Sequence, residues 1–124
     1  MKKIILIGCE GVLGKFYVKE LLKVSKLLVV ADVKIKNDSR NKKLIQKKLN
    51  LENETEINEF FKNLNTKYGK FDILINNAAL TSEGIQSLNK KKYYKEDFDT
   101  FVWDKTNNVN LRGTFLSCKH FIKY

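Results

Sequence analysis

Two rhythms of hydrophobic and polar positions alternate along this chain. Residues 3–8, KIILIG, form an unbroken apolar run, which predicts a strand buried on both faces, as in a parallel sheet. From Val12 to about Lys26, the apolar residues Leu13, Phe16, Tyr17, Leu21, Leu22 and Val24 recur at helical spacing. LLVVAD at 27–32 is a second buried strand that stops at Asp32. Residues 33–47 are basic and weakly patterned, and predict one short helix at best, around Ser39 to Gln46. KKLNL, ending near Leu51, reads as a short third strand. Asn53 followed three residues later by Glu56 resembles a capping box, and behind it Ile57, Phe60, Phe61, Leu64 and Tyr68 fall on one helical face. Gly69 supplies the stop. FDILINNAA is a fourth strand running into a polar turn, residues 80–98 a polar loop, and a last helix runs from about Phe101 to the chain end. Strand and helix thus alternate without a linker or internal repeat. This predicts a single α/β domain over 1–124, a Rossmann-like doubly wound parallel sheet of four strands in the order 3-2-1-4 with right-handed crossovers.

Composition narrows the class. At 124 residues, with 43% hydrophobic and 31% charged positions, the chain is an ordinary globular domain, and no apolar stretch approaches the roughly 20 residues that span a bilayer. A cytoplasmic protein with no membrane partner is expected. Cys9 and Cys118 share no metal-ligand spacing and are expected to be unlinked thiols. The formal charge is +10, almost all of it lysine, with Arg40 and Arg112 the only arginines. Nucleic-acid readers favour arginine for bidentate contacts, and the lysines here are spread along the chain. We read the charge as solvated basic faces, with no nucleic-acid partner.

Chemistry enters at GCEGVLG, where Gly8, Gly11 and Gly14, with Val12 and Leu13 between the last two, link the first strand to the first helix. The first N–H groups of a helix lack partners and carry partial positive charge, so a diphosphate fits there, and glycines let backbone approach it. Taken alone the triplet is equally a plain strand-to-helix turn. Asp32 shifts that balance. It ends the second strand eighteen residues after Gly14, where a carboxylate accepts hydrogen bonds from a ribose diol and repels a 2′-phosphate. Glu10 adds to that repulsion and no Lys or Arg immediately follows Asp32, which favours NAD over NADP.

NNAA at 76–79 and VNLRGTFLSCK at 109–119, taken with the glycine turn and VVAD, resemble the short-chain dehydrogenase/reductase family in order and over nearly the whole chain. The resemblance implies an NAD-dependent oxidoreductase moving a hydride between nicotinamide and a hydroxyl or carbonyl on a small molecule. It implies that Asn77 and Ala78 shape the adenosine pocket, that Asn50 and Leu51 stand beside the adenine, and that Asn110 orients a catalytic lysine through a water. Three departures accompany it: Asn50 stands where the family usually has Asp, Ile7 where it usually has Thr, and the turn follows the G-x-x-G-x-x-G variant. The turn and the long loop before WDKTNNVNLRGTFL look most like the branch found in flagellin and surface-glycan modification clusters.

The family also uses a Tyr-x-x-x-Lys pair, in which Tyr moves the proton and Lys lowers its pKa. Tyr17, Tyr68, Tyr93 and Tyr94 are followed four residues on by Leu21, Asp72, Asp97 and Phe98, and Tyr124 is terminal. The 124 residues alone are therefore expected to have little or no dehydrogenase activity. His120 is expected to be exposed and incidental. Val109, Phe115, Leu116 and Ile122 on the last helix, and the edge of FDILI, are expected to lack cover; in the family that helix surface meets a second subunit, which implies a homo-oligomer at full length. A non-catalytic dinucleotide-binding module or partner subunit is the alternative reading.

Overall fold

The computed structural model describes residues 1–81 and 100–124. Its elements are β1 (Lys2–Ile7), α1 (Val12–Val24), β2 (Ser25–Asp32), β3 (Ser39–Asn41), β4 (Leu44–Lys48), α2 (Glu54–Tyr68), β5 (Ile73–Asn76), α3 (Thr100–Asn107), a π-helical segment (Asn108–Gly113) and α4 (Thr114–Lys123). The sheet runs β3-β4-β2-β1-β5. β1 lies parallel to β2 and β5, and β2 parallel to β4. The expected order 3-2-1-4 is therefore present as β4-β2-β1-β5. Ile7 pairs with Ala31 and Asn76, and Asp32 with Lys48, so the parallel strands end together along one rim.

Two expectations fail at residues 39–51. No helix forms around Ser39 to Gln46. The segment is a hairpin in which β3 pairs antiparallel with β4, Ser39 opposite Gln46 and Asn41 opposite Leu44, and β3 becomes a fifth, edge strand. Lys42 takes the left-handed conformation (φ 49°) that its tight turn requires. The third parallel strand also lies three residues earlier than expected. Ile45 must fill the core beside Val29, and this registers Leu44–Lys48, not 47–51, against β2.

The sheet core is buried on both faces, as the apolar runs require: Ile4, Ile5, Leu6, Ile7 and Leu28 through Ala31 are nearly inaccessible. One face packs Ile5, Ile7, Val29 and Ile45 beneath Ile57, Phe60, Phe61 and Leu64 of α2 and Leu116 of α4. The other packs Ile4, Leu6, Leu28 and Val30 beneath Tyr17, Val18, Leu21 and Leu22 of α1, which stay partly exposed. Leu13 and Phe16, expected on the inner face of α1, are each 59% exposed. Of the helix residues expected to lack cover, Phe115 and Ile122 are exposed, whereas Leu116 is buried and Val109 packs on the core.

α2 is built as its sequence predicts. The Asn53 side chain accepts from the Glu56 N–H (3.1 Å), and Gly69 closes the helix at φ 70° with its N–H on the Asn65 carbonyl. The capping box is only half formed, because the Glu56 carboxylate accepts from the Asn50 N–H (2.8 Å) and not from Asn53. The predicted last helix is present from Thr100, with its middle turns widened into the π segment. Most of the polar loop expected at 80–98, with Tyr93 and Tyr94, lies outside the described residues.

Candidate functional site

Above the common rim of β1, β2, β4 and β5 opens a cavity of about 310 Å³. Gly8, Gly11, Asp32, Asn50, Leu51, Asn77 and Ala78 line it, which brings together most of the residues singled out from sequence. Val12 and Leu13 do not line it. They lie on the first turn of α1 with their side chains in solvent.

The three glycines do different things. Gly8 has φ 91°, and a Cβ there would lie 2.4 Å from the Ala78 nitrogen. A Cβ on Gly14 would meet the Gly8 carbonyl at 2.2 Å. Both positions let backbone pack on backbone. At Gly11 a Cβ would meet nothing within 4 Å, so that glycine leaves open space at the head of α1. Gly11 is the N-cap residue, with no side chain capping the helix and no acidic residue in its first turn. Among the described residues no side chain caps α1, and its positive end lies beside the cavity with the Glu10 and Asp32 carboxylates next to the turn.

Asp32 ties the turn to the sheet. One carboxylate oxygen accepts from the Glu10 N–H and the other from the Lys34 N–H, both at 3.0 Å. Each oxygen keeps further acceptor capacity, and Asp32 lines the cavity. Glu10 turns its own carboxylate to Lys15 (3.8 Å). Cys9 beneath the turn is buried, and burial first, then the Asp32 and Glu10 charges, push its thiol up to about 12. It is a free, inert packing group; Cys118 is also free, but exposed.

The far wall hangs from the strand end and the last helix. Asn77 donates from Nδ2 to the Gly8 carbonyl (2.8 Å) and from its N–H to the Ile7 carbonyl. Asn110, inside the π segment, accepts from the Leu80 N–H (2.7 Å) and donates to the Leu80 carbonyl (2.8 Å). Its main-chain carbonyl accepts from the Thr114 hydroxyl (2.9 Å). Asn110 does not line the cavity itself; it holds Leu80, which does. Gly113 lets this helix sit on the loop after β4, since a Cβ there would lie 2.8 Å from the Leu51 Cβ.

Sequence reasoning missed Val33, Lys34, Glu52, Lys105 and Val109, which also line the cavity. Lys34 stands two positions past Asp32 and was passed over because only the next residue was weighed. Lys105 and Val109 are one helical turn apart, a spacing that places both on the face carrying the cavity wall. Lys105 forms an ion pair with Glu52 across the mouth.

His120 corrects an expectation. It is buried, with neither ring nitrogen hydrogen-bonded. Burial first, then the Lys119 and Lys123 charges, hold its imidazole below the ordinary range against an opposing pull from Glu54.

Comparison with known proteins decides the family. The short chain dehydrogenase family model matches residues 2–124. This chain belongs to the short-chain dehydrogenase/reductase family. A short chain dehydrogenase/reductase of Gibberella zeae is 28% identical over 95% of this chain and 43% of its own length. The 3-oxoacyl-(acyl-carrier-protein) reductase FabG of Thermotoga maritima is 33% identical over 61% of this chain and 27% of its own. A short chain dehydrogenase from Leptospira borgpetersenii, solved with bound NAD+, superimposes with a TM-score of 0.81 at 25% identity, over 98% of this chain and 45% of that one. The chain thus spans less than half the length of these relatives. No helix among the described residues is long and apolar enough to cross a membrane, and no group of three metal-ligating side chains occurs among them.

Proposed function

We propose that these residues form the cofactor-binding part of an NAD-dependent oxidoreductase of the short-chain family. The observation that carries the reading is the open volume at Gly11. A helix N-terminus with no capping side chain faces a cavity in which the one glycine without a packing duty leaves room for a diphosphate. The remaining lining fits the rest of such a ligand in sequence. Asp32 offers acceptors to a ribose diol, and Val33, Leu51 and Val109 offer an apolar slot to a base. When bound, the nicotinamide supplies or takes the hydride for a hydroxyl/carbonyl pair.

The residues of this chain bind and orient. The N–H groups at the head of α1 hold phosphate, Asp32 holds the adenosine ribose, and Asn77 fixes the turn through Gly8. Asn110 is a positioning residue, through Leu80. No residue of this chain is assigned the proton transfer. Asp32 favours NAD over NADP by repelling a 2′-phosphate; Lys34 lines the same cavity and moderates that preference. A small-molecule substrate is proposed, and the likeness of the glycine turn to surface-glycan modification enzymes favours a sugar. Exposed Leu111, Phe115 and Ile122 support assembly with a second copy.

Titration of the chain with NADH, followed by nicotinamide fluorescence, tests the proposal. Saturable binding is expected, tighter than for NADPH. Gly11→Ala is expected to leave the unfolding midpoint unchanged and to weaken NADH binding by about tenfold, since its Cβ has room in the protein but not beside a phosphate. A flat titration of the folded protein overturns the reading.

A further inference from the structure

The lysines are spread along the sequence, but the fold gathers many of them at one end. The cavity opens at the rim where the parallel strands finish. At the opposite rim, where they begin, stand Lys2 and Lys3 at the head of β1, Lys26 at the head of β2, and Lys42 and Lys43 before β4. The helices run back over the sheet and end at the same level, which adds Lys23 in the last turn of α1 and Lys70 just past α2. Two of the side chains tie the rim together. Lys3 Nζ donates to the Tyr68 carbonyl (2.7 Å) and Lys43 Nζ to the Ser25 carbonyl (3.0 Å). The acids of this rim among the described residues are Glu20 and Asp72, already paired with Lys23 and Lys2. Lys26, Lys42 and Lys70 are exposed and make no ion pair among the described residues.

Two apolar side chains stand out from among these charges. Met1 is 86% exposed and Val24 60%. Lys2 pairs with Ser25, so the two lie at neighbouring strand starts. Exposed apolar groups add nothing to the grip on a polyanion in water. On a lipid surface they enter the acyl boundary while the lysines around them reach headgroup phosphates. An ammonium is a point charge that needs no fixed partner geometry, which suits mobile headgroups. Base-edge readout in a duplex calls for the planar fork of arginine instead, and the free cations here are all lysine. We propose that the rim at the strand starts is a docking surface for an anionic lipid bilayer. The protein then lies on the surface without spanning it, and the cavity, at the far rim, faces water.

Cosedimentation with vesicles tests the proposal. Vesicles of equal parts phosphatidylcholine and phosphatidylglycerol are expected to bind the folded chain at least about tenfold more tightly than phosphatidylcholine alone. Raising the salt from about 0.1 M to about 1 M, which shortens the screening length from about 10 Å to about 3 Å, should release it. The triple variant Lys26→Glu, Lys42→Glu and Lys70→Glu is expected to weaken binding about hundredfold. Lys15→Glu, Lys36→Glu and Lys48→Glu, the same change of net charge toward the cavity rim, should weaken it by less than about threefold. Val24→Ser removes only apolar surface and should cost about threefold on vesicles. Equal binding to neutral and anionic vesicles, equal losses in the two triple variants, or no effect of Val24→Ser overturns the inference. Tighter binding to duplex DNA at the same phosphate concentration gives the face to nucleic acid and overturns it as well.

Discussion

α1 and α2 are helices of similar length laid on opposite faces of the same sheet, and they are built to opposite plans. α2 is capped at both ends by Asn53 and Gly69, carries Glu54 and Glu56 in its first turn, and buries four large side chains. α1 has no capping side chain and no acid in its first turn, and its one buried residue is Gly14. α2 satisfies its own orphan groups and holds on by interdigitated side chains. α1 has no side-chain cap among the described residues and is seated by backbone contact through Gly14 together with the partly exposed Tyr17, Val18, Leu21 and Leu22. The helix whose end is left open is the one that faces the cavity. A helix optimised for its own stability would have closed that end with a carboxylate or hydroxyl, and a ligand anion would then find its place taken.

The comparison breaks most readily at a matched pair of phenylalanines. Phe61→Ala empties the α2 core and is expected to cost about 4 kcal/mol in urea unfolding. Phe16→Ala on the exposed side of α1 should cost less than about 1 kcal/mol. Equal losses would show that α1 is packed as tightly as α2. Gly14→Ala tests the backbone seat. Its Cβ has no room against the Gly8 carbonyl, so a loss of about 2–3 kcal/mol is expected, together with loss of NADH binding as the head of α1 moves. Stability lost without any change in binding would separate the seat from the site. The smallest effect is a pH dependence confined to the α2 face, where His120 is buried near Glu54, Lys119 and Lys123. Its imidazole is held below the ordinary value, so the folded state resists protonation. The stability this confers is present above about pH 6.5 and declines as pH falls below it. The melting temperature should drop between pH 7.5 and pH 5.5 in the native chain and drop less in His120→Gln. Parallel curves would place the titration elsewhere.

The parts legible in the sequence are those where one signal dominates. β1 and β2 read directly because residues buried on both faces leave unbroken apolar runs. α2 reads from cap to cap because its face, its Asn53 and its Gly69 agree. Gly8, Asp32 and Asn77 are legible as neighbours of one cavity because each stands at or just past the end of a legible strand, and Gly11 because it heads the helix that follows one. The hairpin at 39–48 was illegible because β3 is exposed along its length, and its turn uses Lys42 where Gly or Asn would have announced it. The outward face of α1 looked like core because periodicity reports amphipathicity without reporting what lies opposite. His120 was misread for the converse reason: the packing of α4 on α2 buries it, and no local pattern carries that. The different duties of the glycines rested on atoms brought from Ala78, Gly8 and Leu51, distant in sequence.

The Asn110 amide bonds both the N–H and the carbonyl of one residue, Leu80. This is the pairing a neighbouring strand would make, supplied by a single side chain. The backbone leaving β5 is thereby fastened to the helix as a rung is fastened to a rail. The helix cannot then turn by one residue, about 100°, without dragging the cavity wall along. The π segment places that fastening in mid-helix, with Thr114 holding the Asn110 carbonyl and Gly113 seated against Leu51. The shape of the cavity is in this way indexed to the rotational setting of one helix, and a register shift there would act on it as a key acts on a lock.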